Sequence, residues 1–249
     1  MITLYDIPSQ LPDKVWSPNT FKSRISLNYK GIPYKTEWVE YPDIESTLKQ
    51  IGGAPTGKWS DGRDYYSLPA IHDSATGKVI VDSARIAAYL DETYPDKPVL
   101  YPPSSKAATA VLDHVVGENF SVPIRPINLP AAHKILNPPS QVYFRTTREK
   151  MSGKKLEDFA PPGPVRDAVW KTVKEGLDRL ADFYERNGED KLYYFGDTFS
   201  FADTIVIGYL LWTKIVLGAD SDEWKMVASW NKGRWERLIE STKHLQTVK

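Results

Sequence analysis

The sequence of 249 residues contains no cysteine. A chain without cysteine forms no disulfide, holds no metal through thiolates and uses no cysteine nucleophile. Its four histidines, His72, His114, His133 and His244, are scattered, and no two of them lie four residues apart. We therefore predict no metal site built from the protein's own side chains.

An excess of charge of either sign is also absent, because 32 basic residues balance 32 acidic ones. Such a balance provides no electrostatic footprint for nucleic acid or for an anionic membrane, so an anionic ligand needs a local site. There is no apolar run of about 18 residues, as a spanning helix requires. The first residues also lack the basic flank and apolar stretch of a signal peptide. We expect a cytoplasmic protein with neither nucleic acid nor membrane as a partner.

The first 95 residues alternate between the patterns of short strands and short helices. We predict strands at 2–5, 34–39, 68–72 and 78–81, and helices at 19–30, 44–51 and 83–93. The last two strands flank a turn-rich segment, which is typical of an antiparallel hairpin. A βαβ unit followed by a ββα unit predicts an α/β domain of the thioredoxin-like type.

Four prolines between residues 95 and 103 indicate a stiff connector. Beyond it we predict helices at 106–119, 165–184, 201–217 and 230–245, and the proline-rich residues 121–163 are interpreted as irregular. The predicted division is an α/β domain over 1–95 and an all-α domain over 104–249.

The segment Trp16-Ser17-Pro18-Asn19 precedes the first predicted helix. Serine before proline is typical of a helix N-cap, which is a purely structural role. The same position offers a functional one, because free N–H groups and the helix dipole stabilise an anion there. A thiol whose ionised form is held by the serine hydroxyl would have its pKa lowered. Each pKa unit requires that the site favour the thiolate over the neutral thiol by about 1.4 kcal/mol.

Two further motifs have both a structural and a functional interpretation. Pro69 after Leu68 marks a bend or a sheet edge; in a thioredoxin-like context the proline would be cis and would present the Leu68 peptide to an extended peptide ligand. Asp82 and Ser83 start a predicted helix as a cap. They also offer a partner for an ammonium and a donor for a carboxylate, the two charges of a γ-glutamyl group.

The order Ser17, Pro69, Ser83 resembles the N-terminal domain of cytosolic glutathione transferases. Ser200 and Asp203 form a capping-box sequence that is similar to the family's box in the second domain. The Ser-Pro-Asn-Thr-x-Lys-x-Arg run is similar to the fungal-specific class A, etherase-related enzymes, and somewhat to bacterial lignin β-etherases.

This resemblance implies glutathione as co-substrate and a homodimer. It implies that Ser17 activates the thiol, with Asn19 or Thr20 as alternative donors. It also implies a set of glutathione-binding residues: Lys58 for the glycyl carboxylate, Leu68, Pro69, Asp82 and Ser83. The acceptor would be a hydrophobic, aromatic or ether electrophile, and the alternative is a non-catalytic binder of phenolic compounds.

For the acceptor site, the sequence offers several aromatic side chains and two arginines. An ordinary core is the commoner explanation for each aromatic residue, and a solvated surface is the commoner one for each arginine. The candidates are Trp16, Tyr41, Phe120, Tyr143, Phe144, Trp212, Arg125 and Arg145.

Overall fold

The structure is a computed structural model that describes all 249 residues. Its first part contains six strands and three helices, with a 3-10 turn at Tyr41–Asp43. In chain order they are β1 (Ile2–Asp6), α1 (Pro18–Tyr29), β2 (Tyr34–Trp38), α2 (Ile44–Ile51), β3 (Gly57–Lys58), β4 (Asp64–Tyr65), β5 (Ala70–Asp73), β6 (Lys78–Val81) and α3 (Ser83–Thr93).

The four longer strands form one mixed sheet in the order β2-β1-β5-β6. β1 pairs in parallel with β2, and the other two pairings are antiparallel. Ile2 on β1 lies opposite Tyr34 on one side and Asp73 on the other. The predicted βαβ and ββα units are thus present, which confirms the thioredoxin-like fold of this part. The short β3–β4 hairpin was not predicted.

The second part contains only helices, apart from short turns and isolated bridges. They are α4 (Lys106–Val116), a π-helical turn (Gly117–Ser121), α5 (Val122–Ile135), α6 (Pro138–Ser152), α7 (Pro164–Glu185), α8 (Phe201–Leu217) and α9 (Asp222–Ser241). None of the helices is both long and apolar enough to cross a bilayer.

The interpretation of residues 121–163 as irregular was wrong, because α5 and α6 occupy most of this segment. Two of its prolines lie in the first turn of α6, where the missing N–H would have no partner in any case. Pro126 and Pro130 lie inside α5 and remove two helical hydrogen bonds. Burial of the α5 side chains Ile124 and Ile127 offsets that loss.

The last helix also differs from its prediction, since it begins eight residues earlier than expected. α9 is interrupted at 230–233, where Asn231, Lys232 and Gly233 have φ of 50°, 57° and 73°. Asparagine and glycine tolerate this left-handed conformation better than other residues. The apolar periodicity after residue 230 therefore predicted only the second piece, and residues 243–245 form a separate 3-10 turn.

The two parts share one hydrophobic core of 54 buried residues. α8 is buried along almost its whole length, as its apolar sequence predicted, and it packs against α1. Gly208 makes this approach possible: a Cβ there would lie 2.5 Å from the Pro18 carbonyl oxygen. The contact brings the second part of the chain directly to the start of α1.

The capping box predicted at Ser200 is present at the start of α8. Asp203 is fully buried and accepts hydrogen bonds from the Ser200 N–H (2.9 Å) and the Ser200 hydroxyl (3.1 Å). It also accepts one from the Tyr194 N–H (2.7 Å). One carboxylate thus joins the preceding loop to the first turn of the buried helix.

Candidate active site

Two cavities meet at the start of α1, between the two parts of the chain. We call the first the aromatic cavity, with a volume of about 520 Å³, and the second the polar cavity, with about 290 Å³. Their shared walls come from both parts of the chain and are Asn19, Ser121, Arg125 and Tyr209. A ligand that fills both cavities must therefore pass the first turn of α1.

Ser17 occupies the N-cap position of α1 and lines the aromatic cavity. The structural role expected of it is not observed, because its side chain accepts no hydrogen bond from the helix. The N–H groups that an N-cap side chain bonds belong to the second and third helical residues, and neither donates to Ser17. The hydroxyl of this 5% exposed residue is consequently free to donate to a group in the cavity.

Asn19 and Thr20, the alternative donors, have different environments. Asn19 lines both cavities. Thr20 is buried and donates its hydroxyl hydrogen to the Ser17 carbonyl (3.1 Å), and it lines neither cavity. The geometry leaves Ser17 and Asn19 as the two side chains that can reach a ligand at this helix start.

The Leu68–Pro69 peptide bond is cis, and Leu68 and Pro69 line the polar cavity. Leu68 takes part in no backbone hydrogen bond through its N–H or its C=O. The Pro69 carbonyl accepts the Asp82 N–H (3.1 Å), so this segment lies beside the start of α3. The cavity wall thus presents one free peptide group, as a ligand that pairs like a strand requires.

Asp82 and Ser83 line the same cavity at the N-terminus of α3. Asp82 is the N-cap, and its Oδ1 accepts the N–H groups of Ala84 (3.0 Å) and Arg85 (3.1 Å). Its φ of 85° is rare for a residue other than glycine and marks local strain. Oδ2 makes no hydrogen bond within the chain, so the cap retains one carboxylate oxygen for a cation, next to the Ser83 hydroxyl.

Lys58 lies apart from this group, on the short strand β3 at the aromatic cavity. Its side chain is 66% exposed and forms an ion pair with Asp64 (2.5 Å) on β4. A carboxylate ligand would have to compete with Asp64 for this ammonium. Its assignment to the glycyl carboxylate stays a prediction.

Two charged residues of the Ser-Pro-Asn-Thr-x-Lys-x-Arg run differ in their environment. Arg24 is fully buried and donates to Asp6 Oδ2 (2.7 Å), so it holds α1 against β1. Lys22 is also buried but lines the polar cavity; its Nζ is 3.7 Å from Asp113 Oδ1 and 4.8 Å from the centre of the Tyr209 ring. Sequence reasoning quoted this lysine as part of the motif but missed its place at the site.

Of the six aromatic candidates for the acceptor site, four line the aromatic cavity, namely Trp16, Tyr41, Phe144 and Trp212. The other two candidates do not line it. Phe120 is fully buried in the core, and Tyr143 stacks on Tyr41 with ring centres 5.7 Å apart. Sequence reasoning missed four further aromatic residues of the cavity, which are Trp59, Tyr65, Phe159 and Tyr209.

Of the two arginine candidates, only one lies at the cavities. Arg125 lines both cavities, whereas Arg145 faces away and pairs with Glu149 (2.7 Å) and Glu157 (2.6 Å). The hydrogen bond from Arg145 lowers the pKa of Glu157 to about 2. Arg148, three residues further along α6, lines the aromatic cavity instead.

The fold and the two cavities define a class of protein: a thioredoxin-like domain, with its cis-proline peptide in the wall of a cavity, joined to an all-helical domain that closes an aromatic pocket. A family model described as the glutathione S-transferase N-terminal domain matches residues 16–93. A second, described as the glutathione S-transferase C-terminal domain, matches residues 107–245. The chain belongs to the glutathione S-transferase family.

Solved fungal relatives resemble the chain over its whole length. A glutathione S-transferase of Ceriporiopsis subvermispora, crystallised in complex with glutathione, is 48% identical with a TM-score of 0.97, covering 100% of this chain and 98% of that one. Glutathione transferase GSTFuA3 of Phanerochaete chrysosporium is 41% identical with a TM-score of 0.95, with the same coverage. The resemblance to the fungal glutathione transferases is thereby confirmed.

A more distant relative is similar over most of its sequence. The glutathione S-transferase-like protein ustS of Aspergillus flavus is 33% identical over 250 residues, which cover 94% of this chain and 87% of the relative.

Proposed function

We propose that this protein transfers glutathione to hydrophobic aromatic electrophiles and that Ser17, assisted by Asn19, stabilises the glutathione thiolate. The observation that carries the proposal is the free hydroxyl of Ser17 in the aromatic cavity, next to Asn19 at the junction with the polar cavity. The bound glutathione of the Ceriporiopsis relative supports the choice of co-substrate.

The polar cavity has the groups that glutathione requires. The γ-glutamyl end carries an ammonium and a carboxylate, which match the free Oδ2 of Asp82 and the hydroxyl and first-turn N–H groups at Ser83. The cysteinyl unit has one N–H and one C=O, which match the unpaired peptide group of Leu68. A ligand held in this way extends towards the first turn of α1.

The chemistry at the sulfur is then a matter of hydrogen bonding. The Ser17 hydroxyl donates to the thiolate, and the Asn19 amide supplies a second donor. Charge-assisted hydrogen bonds of this kind favour the ionised form and lower the thiol pKa from about 8.5. Ser17 keeps its own proton and forms no covalent bond, while the acceptor is held beside the sulfur by the aromatic cavity.

Replacement of Ser17 by alanine tests this role. We expect kcat/KM for glutathione and 1-chloro-2,4-dinitrobenzene to fall by about ten- to a hundredfold, the worth of one hydrogen bond to a charged group. The pKa of the bound thiol should rise, because the thiolate loses a hydrogen-bond donor, and the increase of the rate with pH should therefore occur at higher pH. Calorimetric titration should show that glutathione affinity changes little, since its peptide contacts remain.

Ser23→Ala is the matched control for this substitution. Ser23 lies on the same helix, is fully buried, and its hydroxyl has no partner in the chain. Its removal should leave turnover and the pH profile unchanged. A Ser17→Ala protein that retains the parent's turnover would refute the catalytic role.

A second candidate function is the binding of phenolic compounds without catalysis. The size and the aromatic lining of the aromatic cavity favour it. It would be favoured if the parent turned over no electrophile while polyphenols at micromolar concentration raised its unfolding midpoint. β-Etherase-type cleavage, a role in detoxification and a homodimer remain proposals from the resemblance, and a cytoplasmic location remains a proposal from the sequence. The domain boundaries at 95 and 104 likewise remain a proposal.

A further inference from the structure

The aromatic cavity has a charge distribution unlike that of the chain as a whole. The chain carries no net charge, yet no aspartate or glutamate lines this cavity, whereas Lys58, Arg125 and Arg148 do. Lys58 already pairs with Asp64. The two arginines therefore contribute positive charge to a cavity whose own wall does not neutralise it.

Arg148 is the better defined of the two cations. Its guanidinium lies 4.6 Å from the centre of the Phe144 ring and 5.8 Å from that of Tyr41. It donates a hydrogen bond to the Thr147 hydroxyl (3.0 Å) and lies close enough to the Tyr41 hydroxyl to lower the pKa of that phenol, and it forms no ion pair. Arg145 on the same helix contrasts with it, because that guanidinium binds two carboxylates. The side chain is thus held in place by two rings while its donors remain available.

The neighbouring polar groups do not supply the missing negative charge. Burial raises the pKa of Tyr41 to about 12, so its phenol stays neutral near pH 7. The indole N–H groups of Trp16 and Trp212 have no acceptor in the chain, but both nitrogens are themselves buried and do not face the cavity. The wall thus contains hydroxyl and amide groups that can donate or accept, but no anionic acceptor.

We propose that the acceptor of this enzyme is an aromatic carboxylate, with its ring among the aromatic side chains and its carboxylate on the guanidinium of Arg148. This assignment rests on the proposed transferase function and narrows its substrate class. A guanidinium presents two parallel N–H donors that match a carboxylate, and stacking on rings fixes their direction. A neutral aromatic compound would leave these donors unpaired when it displaced water.

Arg125 is less suitable than Arg148 for testing this assignment, because of its position. It lines both cavities, so it faces the glutathione carboxylates as well as the acceptor. Arg148 lines only the aromatic cavity. A change at Arg148 should consequently alter selectivity between acceptors without altering the KM for glutathione.

The test compares 4-chloro-3-nitrobenzoate with 4-chloro-3-nitrobenzamide, which share a ring and a leaving group but differ in charge. In both reactions the thiolate forms a C–S bond at the chlorinated carbon, chloride leaves with the bonding electron pair, and the thiol proton passes to water. Because the two rings differ in intrinsic reactivity, each kcat/KM is divided by the uncatalysed rate constant with glutathione. In the parent we expect this normalised value to favour the benzoate by about tenfold or more.

Substitution at Arg148 should abolish this preference. Arg148→Gln is expected to lower the benzoate-to-benzamide ratio by about ten- to a hundredfold, mainly through the KM for the benzoate. Arg148→Lys retains the positive charge but not the pair of parallel N–H donors, so its benzoate-to-benzamide ratio should lie between those of Arg148→Gln and the parent. The matched control is Arg145→Gln, on the same helix but paired outside the cavity, which should keep the parent's ratio. Unfolding midpoints of all variants verify that they fold.

The outcomes separate this inference from the proposed function. A parent that turns over both compounds with equal normalised rates, or an Arg148→Gln variant that keeps the parent's ratio, would overturn the carboxylate assignment while leaving the transferase intact. A parent that turns over neither compound, nor 1-chloro-2,4-dinitrobenzene, would refute the proposed function itself and this inference with it.

Discussion

Substitution of Gly176 by alanine is expected to lower the free energy of unfolding by about 3 kcal/mol or more. A Cβ at this position of α7 would lie only 1.7 Å from the carbonyl oxygen of Asn119 and 2.7 Å from its carbonyl carbon. Both are backbone atoms, so no rotation of a side chain can relieve the clash. The helix and the segment facing it would have to move apart.

The carbonyl of Asn119 is exposed to α7 for a reason that is visible in the sequence. Asn119 belongs to the π-helical turn Gly117–Ser121, and the residue four positions later is Pro123. Proline has no N–H, so the α-helical hydrogen bond to the Asn119 carbonyl cannot form, and the chain widens into a π turn. Ser121, at the end of this turn, lines both cavities. We therefore expect Gly176→Ala to reduce turnover as well as stability.

Gly117→Ala is the matched control, since it lies in the same π turn but a Cβ there would meet nothing within 4 Å. Alanine is a better helix former than glycine, so this variant should be as stable as the parent or up to about 1 kcal/mol more stable. Urea unfolding at a fixed protein concentration measures both variants. A Gly176→Ala protein within about 0.5 kcal/mol of the parent, the range of an ordinary surface change, would show that the helices separate freely here.

Local patterns predicted the thioredoxin-like part of the fold well because its elements are short and end at strong signals. The second strand, the helix at Ile44–Ile51 and the start of α3 at Ser83 all lie next to glycine, proline or a capping residue. The β3–β4 hairpin was missed because strands of two residues have no periodicity to recognise.

In the second part, the proline-rich segment shows where such patterns fail. Proline in a helix interior is unfavourable by about 3 kcal/mol in an isolated helix, and only packing in the whole fold outweighs that term in α5. Because this segment was interpreted as irregular, the face of α6 that lines the cavity was not predicted either. Phe144, Arg148, Met151 and Ser152 line the aromatic cavity with the spacing of one helix face, and Arg145 is off that face.

The site itself was predicted in part, for a similar reason. Ser17, Pro69 and Ser83 follow local signals, and each is found at one of the two cavities. Tyr209 reaches the junction of those cavities only because α8 packs on α1 through Gly208. Contacts between residues about 190 positions apart have no local signature, and a single sequence therefore does not disclose them.

The buried carboxyl group of Asp203 should make the stability of this protein fall as the pH rises from 4 to 7. Burial is the main cause that raises the pKa of Asp203 from its ordinary value of 3.8 to about 7, and hydrogen bonds from Tyr194, from Ser200 and from its own backbone oppose it. Between these values the unfolded chain has released the proton while the folded chain retains it. Stability decreases with pH wherever the folded state binds more protons, and it levels off above about pH 7.

Asp203→Asn removes this titration and isolates its contribution. Three pKa units correspond to about 4 kcal/mol. Between pH 4 and 8 the free energy of unfolding of the parent should therefore fall by up to about 4 kcal/mol more than that of the variant. The measurement is a series of urea unfolding curves at constant ionic strength and protein concentration.

Asp197→Asn, at a carboxyl group that is 80% exposed, is the control and should change the pH dependence by less than about 1 kcal/mol. A constant difference between the parent and Asp203→Asn would mean that the hydrogen-bond donors around Asp203 hold the carboxylate ionised in the folded state. The capping box would then stabilise α8 as an ionic cap on the helix dipole rather than as a neutral hydrogen-bonded one.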